Sequence, residues 1–378
     1  MQPETLFSAR SRPVPACAAA RSERKGYCLE RKKKPVWPWV VGAAGMLLVA
    51  AAYLVLSMVL SPASSARRAL ELGERFLNEG DYRQAVLQFQ DAIEIAQRRV
   101  DQPEVAAIAD QAQPLLEQAA QAGAVRQVQQ NGGNVQAAVI WLDALACDQL
   151  PGVQVFYDAQ TLLEELRDLC AAEDYDAVFV RLADESYKQT VAELMGLNCE
   201  VKLFDPEDMA TGETADGQAP GLMTAIYRME VATENFTDGT EENYMVYYGQ
   251  HQAGVRQGEG VWLAYQAGNN YLARGTWDQD RPNGSFESRS WQTELNETVT
   301  YRVIIGTVAD GLWDGRVTWR FERGDETDEY TPSFDAGRWQ ILREENGLAI
   351  AADNGGGNVL VATDPEALNG IAGYAEAA

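Results

Sequence analysis

The sequence is poor in the residues that carry most enzyme and metal chemistry. Its 378 residues include one histidine, His251, and five cysteines. A single histidine leaves no recognisable Ser-His-Asp or Cys-His arrangement and no multi-histidine metal site. His251 occupies a packing position of a repeat described below, so we expect it to be packed among its neighbours. The chain is therefore predicted not to be an enzyme and to hold no cofactor or metal.

Two segments share some features with ion-binding or phosphate-binding loops but lack others. Residues 278–284 resemble a calcium loop, yet the third ligand and the glycine each come one position late, and the closing glutamate is missing. Residues 353–358 lack the strand-to-helix setting and the Lys-Ser/Thr ending of a phosphate-binding loop. Both segments are predicted to be turns.

The cysteines are few and show no spacing typical of a metal-binding pair. Cys17 and Cys28 are separated by ten residues in the N-terminal region. Cys147, Cys170 and Cys199 stand in apolar segments of helical pattern, where a buried, unreactive cysteine is the ordinary outcome. One disulfide among these last three is left open.

Basic residues are scarce over most of the chain. Lys and Arg number 31 against 56 Asp and Glu, a net charge of −25. Residues 1–38 are the exception, with nine Lys and Arg against three Asp and Glu, which leaves 22 against 53 in the remainder. So acidic a body argues against nucleic-acid binding and against adhesion to anionic lipid headgroups by charge.

A run of 21 residues, 40–60, contains no charged residue. A helix rises about 1.5 Å per residue and the hydrocarbon core of a membrane is about 30 Å thick, so the run is long enough to span it. The basic cluster at 31–34 precedes it. The sequence therefore predicts a signal-anchor helix at 39–61, a disordered cytoplasmic tail at 1–38, and a body outside the plasma membrane. A cleaved signal peptide ending near Ala66 is the alternative.

Residues 64–198 have the apolar spacing of helices, and their first part predicts a two-helix hairpin. Small residues let the two helices approach and larger ones fill the remaining space. The inner faces are predicted to hold Leu72, Gly73, Phe76, Tyr82, Ala85, Phe89 and Ala92. This pattern resembles one tetratricopeptide repeat, which implies a helical scaffold for protein interactions. A lone hairpin cannot bury its own apolar face, so further helices are expected to pack on it.

The apolar period changes from 3.6 to 2 after a turn-rich linker at 205–221. Residues 222–340 are predicted to be all β, followed by a C-terminal hairpin and tail at 341–378. Within the β region a pattern with offsets of 0, +2, +5 and +9 recurs in four copies, which start at Gly249, Gly275, Gly306 and Pro332.

Each copy of this pattern is predicted to form a short β-hairpin. The residue at +5 supplies a positive φ at the turn, and the bulky residue at +2 packs between consecutive hairpins. The glycine at +9 is predicted to admit a neighbouring aromatic ring or backbone. The structural positions of the repeats are Tyr247, Gly249, Gly254, Gly258, Gly260, Gly275, Trp277, Gly284, Gly306, Gly311, Gly315 and Gly337.

These copies resemble the MORN repeat, with His251 at the usual tryptophan position and Pro332 in place of a glycine. The resemblance implies a single-layer sheet of stacked hairpins and links the chain to membrane association and protein scaffolding. The combination of basic tail, anchor, helical repeat and MORN repeats resembles bacterial envelope proteins of clostridial type.

Five aromatic residues of the β region are candidates for ligand binding on an exposed face: Tyr248, Trp262, Tyr265, Tyr271 and Trp291. Such a face would suit a glycan, a peptide or a lipid. The alternative is that these rings only cover an otherwise thin sheet.

The predicted fold class is multi-domain: one transmembrane helix, an all-α region and an all-β, single-layer sheet of hairpin repeats. The predicted function is a non-enzymatic, membrane-anchored envelope scaffold. Its helical repeats would bind a protein partner or self-associate, and its β repeats would serve recognition or spacing. A sensor that binds cell-wall glycan or peptidoglycan is the alternative function. No nucleic-acid partner is expected.

Overall fold

The described part of the chain is helical first and then β-structured. The computed structural model describes residues 62–98, 103–205, 221–229, 243–266, 268–293 and 299–362. All of them belong to one compact unit, Leu60–Ala378. The predicted tail at 1–38 and the predicted anchor at 39–61 lie outside these residues. Within them, no helix is both long enough and apolar enough to cross a membrane.

Seven α-helices form the N-terminal half of the described residues. Four of them start at a short polar side chain: Asp81, Asn134, Asp174 and Asp184 each accept a hydrogen bond from a backbone N–H of the first turn that follows. The helices are α1 Pro62–Glu79, α2 Tyr82–Gln97, α3 Pro103–Gln130, α4 Val135–Asp143, α5 Gln154–Ala171, α6 Tyr175–Leu182 and α7 Glu185–Gly196.

Helices α1 and α2 form the predicted hairpin. Gly73 and Ala85 are buried at their contact, and a methyl group at Gly73 would lie 2.5 Å from Cε1 of Phe89. The predicted close approach is therefore confirmed. Leu72 was predicted on the inner face, but it is 42% exposed. The buried stripe follows Ala66, Ala69, Leu70 and Gly73, and Leu72 falls one position beside it.

The second half is an antiparallel sheet of eleven strands in chain order, β1 to β8 and then β10 and β11, with β9 also paired to β8. These strands are β1 Val201–Phe204, β2 Gly221–Met229, β3 Asn243–Gln252, β4 Val255–Gln266, β5 Asn269–Asp278, β6 Arg281–Thr293, β7 Val299–Ala309, β8 Leu312–Arg323, β9 Glu326–Tyr330, β10 Ser333–Asp335 and β11 Arg338–Gln340. A three-stranded sheet follows, made of β12 Arg343–Glu345, β13 Leu348–Asp353 and β14 Val359–Val361.

The hairpin turns of the four repeat copies have the predicted geometry. The +5 residue has a positive φ in every copy, and so does the residue before it, as in a two-residue hairpin turn. The φ values at +5 are 81° at Gly254, 68° at Asp280, 83° at Gly311 and 76° at Gly337. The prediction for this position is confirmed.

The +9 glycines are needed for a different reason from the one predicted. Gly258, Gly284 and Gly315 have φ values of 78°, 102° and 77°, and nothing lies within 4 Å of a methyl group placed at Gly315. Backbone conformation therefore selects glycine here. Aromatic rings approach glycines closely at other positions instead, for example at +11 of the first copy, where Cε2 of Tyr247 would lie 2.6 Å from a methyl group on Gly260.

The predicted fold class is wrong in its separate α and β domains. No described helix provides its membrane helix, which was predicted at residues outside those described. Buried residues of the sheet such as Ile226, Val246 and Leu263 belong to one core with the helices. Strand β1, which precedes the predicted linker, pairs with β2. The helices cover one face of the sheet because the first strands are apolar on both faces.

The opposite face of the sheet has a core of its own. It contains Tyr247, Trp262, Trp277, Trp313 and Trp319, and Leu360 of the small sheet packs against it. Strands β2 to β6 therefore alternate between a helix-side face and this second face.

Candidate functional site

The five aromatic candidates do not lie on one face. Tyr248, Tyr265 and Trp291 are partly buried on the helix-side face. Trp262 and Tyr271 belong to the core on the opposite face. Trp262 is only 2% exposed, so the prediction that it is an exposed aromatic is wrong. The odd and even positions of paired strands separate the two groups, and no single ligand can contact all five rings.

Trp291 illustrates the packing role of these rings. Its ring meets Phe179 of α6 edge-on, with the centroids 5.0 Å apart, and it stacks on Tyr301 at 6.1 Å. Aromatic pairs at such distances add stability beyond the area that they bury. Trp291 therefore joins the helical layer to the sheet.

His251 is packed as predicted. It is 4% exposed, and its ring stacks on Phe204 with the centroids 4.6 Å apart. Its Nδ1 accepts a hydrogen bond of 3.1 Å from the backbone N–H of Gly254. The histidine thus stabilises the first hairpin turn.

Cys147, Cys170 and Cys199 are all buried and free, so the disulfide that was left open is not formed among them. Burial raises the pKa of Cys170 to about 12, and it raises the pKa of Cys147 and of Cys199 to about 11. A thiol with so high a pKa is protonated near pH 7 and is a poor nucleophile. The prediction that these cysteines are buried is confirmed.

A groove of about 710 Å³ lies where the α5–α6 connection meets the helix-side face of the sheet. We call it the junction groove. Its helical wall is formed by Cys170, Ala171, Glu173 and Tyr175, and its floor by residues of β2 to β7. The floor includes Leu222, Tyr248, Glu259, Arg274, Thr276, Ser285, Glu287 and Ile305.

The floor runs across the strands rather than along one of them. Register pairs Tyr248 with Val261, Val261 with Arg274, Arg274 with Glu287, and Glu287 with Ile305. Neighbouring strands are about 4.8 Å apart, so the distance from β2 to β7 is about 24 Å. The groove is therefore long enough for an extended chain of about seven residues.

Two of the charged residues that line the junction groove, Arg274 and Glu287, form an ion pair. Arg274 lies 2.7 Å from Glu287, and Arg289 lies 3.0 Å from the other oxygen of the same carboxylate. The hydrogen bond to Glu287 raises the pKa of Arg274. Among the described residues, Glu173 and Glu259 also line the groove but form no ion pair.

The phenols of the junction groove are hydrogen-bond donors at neutral pH. Burial, followed by the charge of Glu173, raises the pKa of Tyr175. Burial, followed by the charge of Asp205, raises the pKa of Tyr248. Both side chains therefore stay protonated, and each offers one O–H donor and an apolar ring to a bound chain.

Among the described residues that line the groove, no nucleophile is paired with a general base. Cys170 is a protonated thiol, and His251 does not line the groove. In the part of the chain that the structure describes, no three His, Cys, Asp or Glu residues are grouped so that they could hold a metal ion. The arrangement is suited to binding a ligand through hydrogen bonds and aromatic contact.

Sequence reasoning identified Tyr248 but missed Tyr175, Arg274 and Glu287. Arg274 and Glu287 become neighbours only through the register of β5 with β6. Tyr175 follows the helix N-cap Asp174, which the sequence signals, but its position against the sheet depends on tertiary packing.

Comparison of the chain with models of protein families, with curated proteins and with solved structures gives no match. The protein is therefore described by its own fold and site. It is an antiparallel sheet covered on one face by helices, with a polar groove where the helices meet the sheet. The resemblances to the tetratricopeptide and MORN repeats stay predictions.

Proposed function

We propose that the protein is a non-enzymatic scaffold that binds an extended segment of a partner protein in the junction groove. The observation that supports this most directly is the groove itself, about 24 Å long across six strands and lined by hydrogen-bonding side chains. This proposal keeps the protein partner predicted from the sequence and moves its site to the helix–sheet junction.

The chemistry of the groove fits a polypeptide. The strands of its floor are paired with each other, so a ligand cannot bind there by adding a strand. It must instead contact side chains, and Tyr175, Tyr248, Thr276 and Glu259 supply hydroxyl and carboxylate groups. An extended polypeptide presents backbone N–H and C=O groups that pair with such side chains.

The glycan-binding alternative has less support. It depended on an exposed aromatic face, and Trp262 is buried while Tyr271 lies on the other side of the sheet from Tyr248. Stacking on a sugar ring needs an accessible aromatic surface. The predicted plasma-membrane location, with the body outside, stays a prediction because residues 1–61 lie outside those described.

A substitution at the rim tests this proposal. Ala171 is exposed and lines the groove, whereas Ala172 is exposed and does not line it. Peptides would be selected from a displayed library of random 12-residue sequences on the full chain, synthesised, and measured by fluorescence anisotropy. We expect Ala171→Trp to weaken their binding at least tenfold, about 1.4 kcal/mol, because the indole occupies the groove.

The matched control is Ala172→Trp, which should change the affinity less than twofold. Enrichment of no peptide over a mock selection would contradict the proposal, as would peptides whose affinity Ala171→Trp leaves unchanged. Displacement of a selected peptide by purified peptidoglycan fragments would instead favour the glycan-binding alternative.

A further inference from the structure

A second groove lies on the helical layer, away from the sheet. It follows the outer face of α3 between the start of α2 at Tyr82 and Leu197, just after α7, and its volume is about 570 Å³. A neighbouring hollow of about 430 Å³ shares Tyr82, Arg126 and Gln130 with it. We call the larger one the amide groove. It shares no residue with the junction groove.

Four of the nine residues that line the amide groove are glutamines. Gln118, Gln121, Gln129 and Gln130 line it, with Val125 in the same helical stripe. Gln121 donates 3.1 Å to the carbonyl of Gly152, and Gln129 donates 3.1 Å to that of Asn198. The side chains of Gln118 and Gln130 form no hydrogen bond with a described residue. Their amides are available as donors and acceptors.

Arg126 is the only charged side chain that lines the amide groove among the described residues. Its Nη1 donates 2.8 Å to the carbonyl of Gly80, and its guanidinium carbon lies 5.9 Å from the ring centroid of Tyr82. These two contacts hold the side chain in place. No carboxylate of the described residues pairs with it.

The sequence is acidic overall, with 56 acidic residues against 31 basic ones, yet the lining of the amide groove contains an arginine and no acid. Some exposed arginines elsewhere on the helices pair with acids, as Arg75 does with Glu79. Others, such as Arg83, form no ion pair with a described residue. The acids beside Arg126 line only the smaller hollow, where Glu79 is paired with Arg75 and Asp81 caps α2. The lining of the amide groove therefore contains one positive charge, held in place, and no negative charge.

We infer that the amide groove binds an extended, acidic segment of a partner protein, with a carboxylate side chain on Arg126. A guanidinium held on one edge still offers N–H groups for a charge-assisted bond to a carboxylate. Gln118 and Gln130 are placed to pair with the segment's backbone, since an amide side chain has the same donor and acceptor groups as a peptide bond. The partner segment is selected by the carboxylate that pairs with Arg126 and by the extended conformation of the segment.

Two pools of blocked peptides test the inference on the full chain. Both pools are fluorescein-labelled octapeptides, N-acetylated and C-amidated, with position four fixed as Glu in one pool and as Gln in the other. We expect the Glu pool to bind about tenfold more tightly at low salt, and we expect this ratio to fall at 1 M salt, where charges are screened within about 3 Å. Anisotropy titration measures both.

Three variants locate the effect. Arg126→Gln and Gln130→Glu should each reduce the Glu-to-Gln ratio to about one, the first by removing the charge and the second by neutralising it. Gln113→Glu adds the same charge on the same helix outside the groove and should keep the ratio. If the Arg126→Gln variant does not fold, the Glu-to-Gln ratio of the Gln130→Glu variant is the deciding measurement. A ratio of one in the unaltered protein, or a ratio unchanged in Gln130→Glu, overturns the inference.

A free C-terminal carboxylate is a second source of negative charge, and a third pool distinguishes it. This pool has Gln at position four and an unblocked C-terminus. Weaker binding than the blocked Glu pool supports the internal acidic segment that we infer. Binding as tight as that of the Glu pool would overturn it in favour of a chain terminus.

Discussion

Replacement of Gly249 by alanine is expected to lower the free energy of unfolding by about 3 kcal/mol. A methyl group at Gly249 would lie 2.7 Å from the carbonyl oxygen of Glu259 and closer still to the Cα of Gly260. Both belong to the backbone of β4, which is paired with β3 at this point. The clash cannot be relieved by a side-chain rotation, so one of the two strands must move away from its partner. Urea denaturation of the full chain measures the change.

Two other glycines separate this effect from glycine effects in general. Nothing lies within 4 Å of a methyl group at Gly196, so Gly196→Ala should be nearly neutral. Gly315 also has open space but a φ of 77°, and its replacement by alanine should cost about 1 kcal/mol. Equal unfolding midpoints for Gly249→Ala and Gly315→Ala would show that crowding at the strand pair is not the cause.

The local features of this fold were readable from the sequence because each depends on residues close together in the chain. The turn residues Gly254, Asp280, Gly311 and Gly337 are examples, since a two-residue hairpin turn needs a positive φ wherever it occurs. The approach of Phe89 to Gly73 is another, because a helical hairpin brings these positions together whatever packs around it.

The helical cover of the sheet was not predicted, although a signal for it exists. Residues 244–248 form an unbroken apolar run, Tyr-Met-Val-Tyr-Tyr. A strand with one solvated face alternates apolar and polar residues, so a continuous apolar run indicates burial on both faces. Val246 is buried against the helices and Tyr247 against the opposite core. The glycine repeat predicts the hairpin turns and carries no information about what covers the sheet.

The candidate sites were less predictable than the fold. Tyr175 and Arg274 meet in the junction groove although about a hundred residues separate them. Their meeting depends on how the helical layer is placed on the sheet, which no local rule specifies. Arg126 stands out only in the structure, where it lines a groove that contains no acidic residue. The sequence contains so many acidic residues that an ion pair would be the natural expectation for any arginine.

The opposite core of the sheet contains a buried cation, and its removal is the second change with a large expected effect. Arg256 is 1% exposed. Its guanidinium carbon lies 4.7 Å from the ring centroid of Tyr227 and 4.6 Å from that of Trp277. Its Nε donates 3.0 Å to Asp280, whose same oxygen accepts 2.9 Å from the backbone N–H of Arg256. The arginine therefore ties the β5–β6 turn to β4.

We expect Arg256→Ala to lower the free energy of unfolding by about 3 kcal/mol, because it opens a space among aromatic rings and removes a buried arginine from its ion pair with the partly exposed Asp280. Asp280→Asn should cost less, since asparagine tolerates the φ of 68° and still accepts the backbone hydrogen bond. Urea denaturation of the two single variants and the double variant gives their coupling energy. A coupling of at least about 1 kcal/mol is expected for a pair in direct contact. Additive costs would mean that the rings alone hold Arg256, and that the turn at Asp280 is stabilised only by its own backbone.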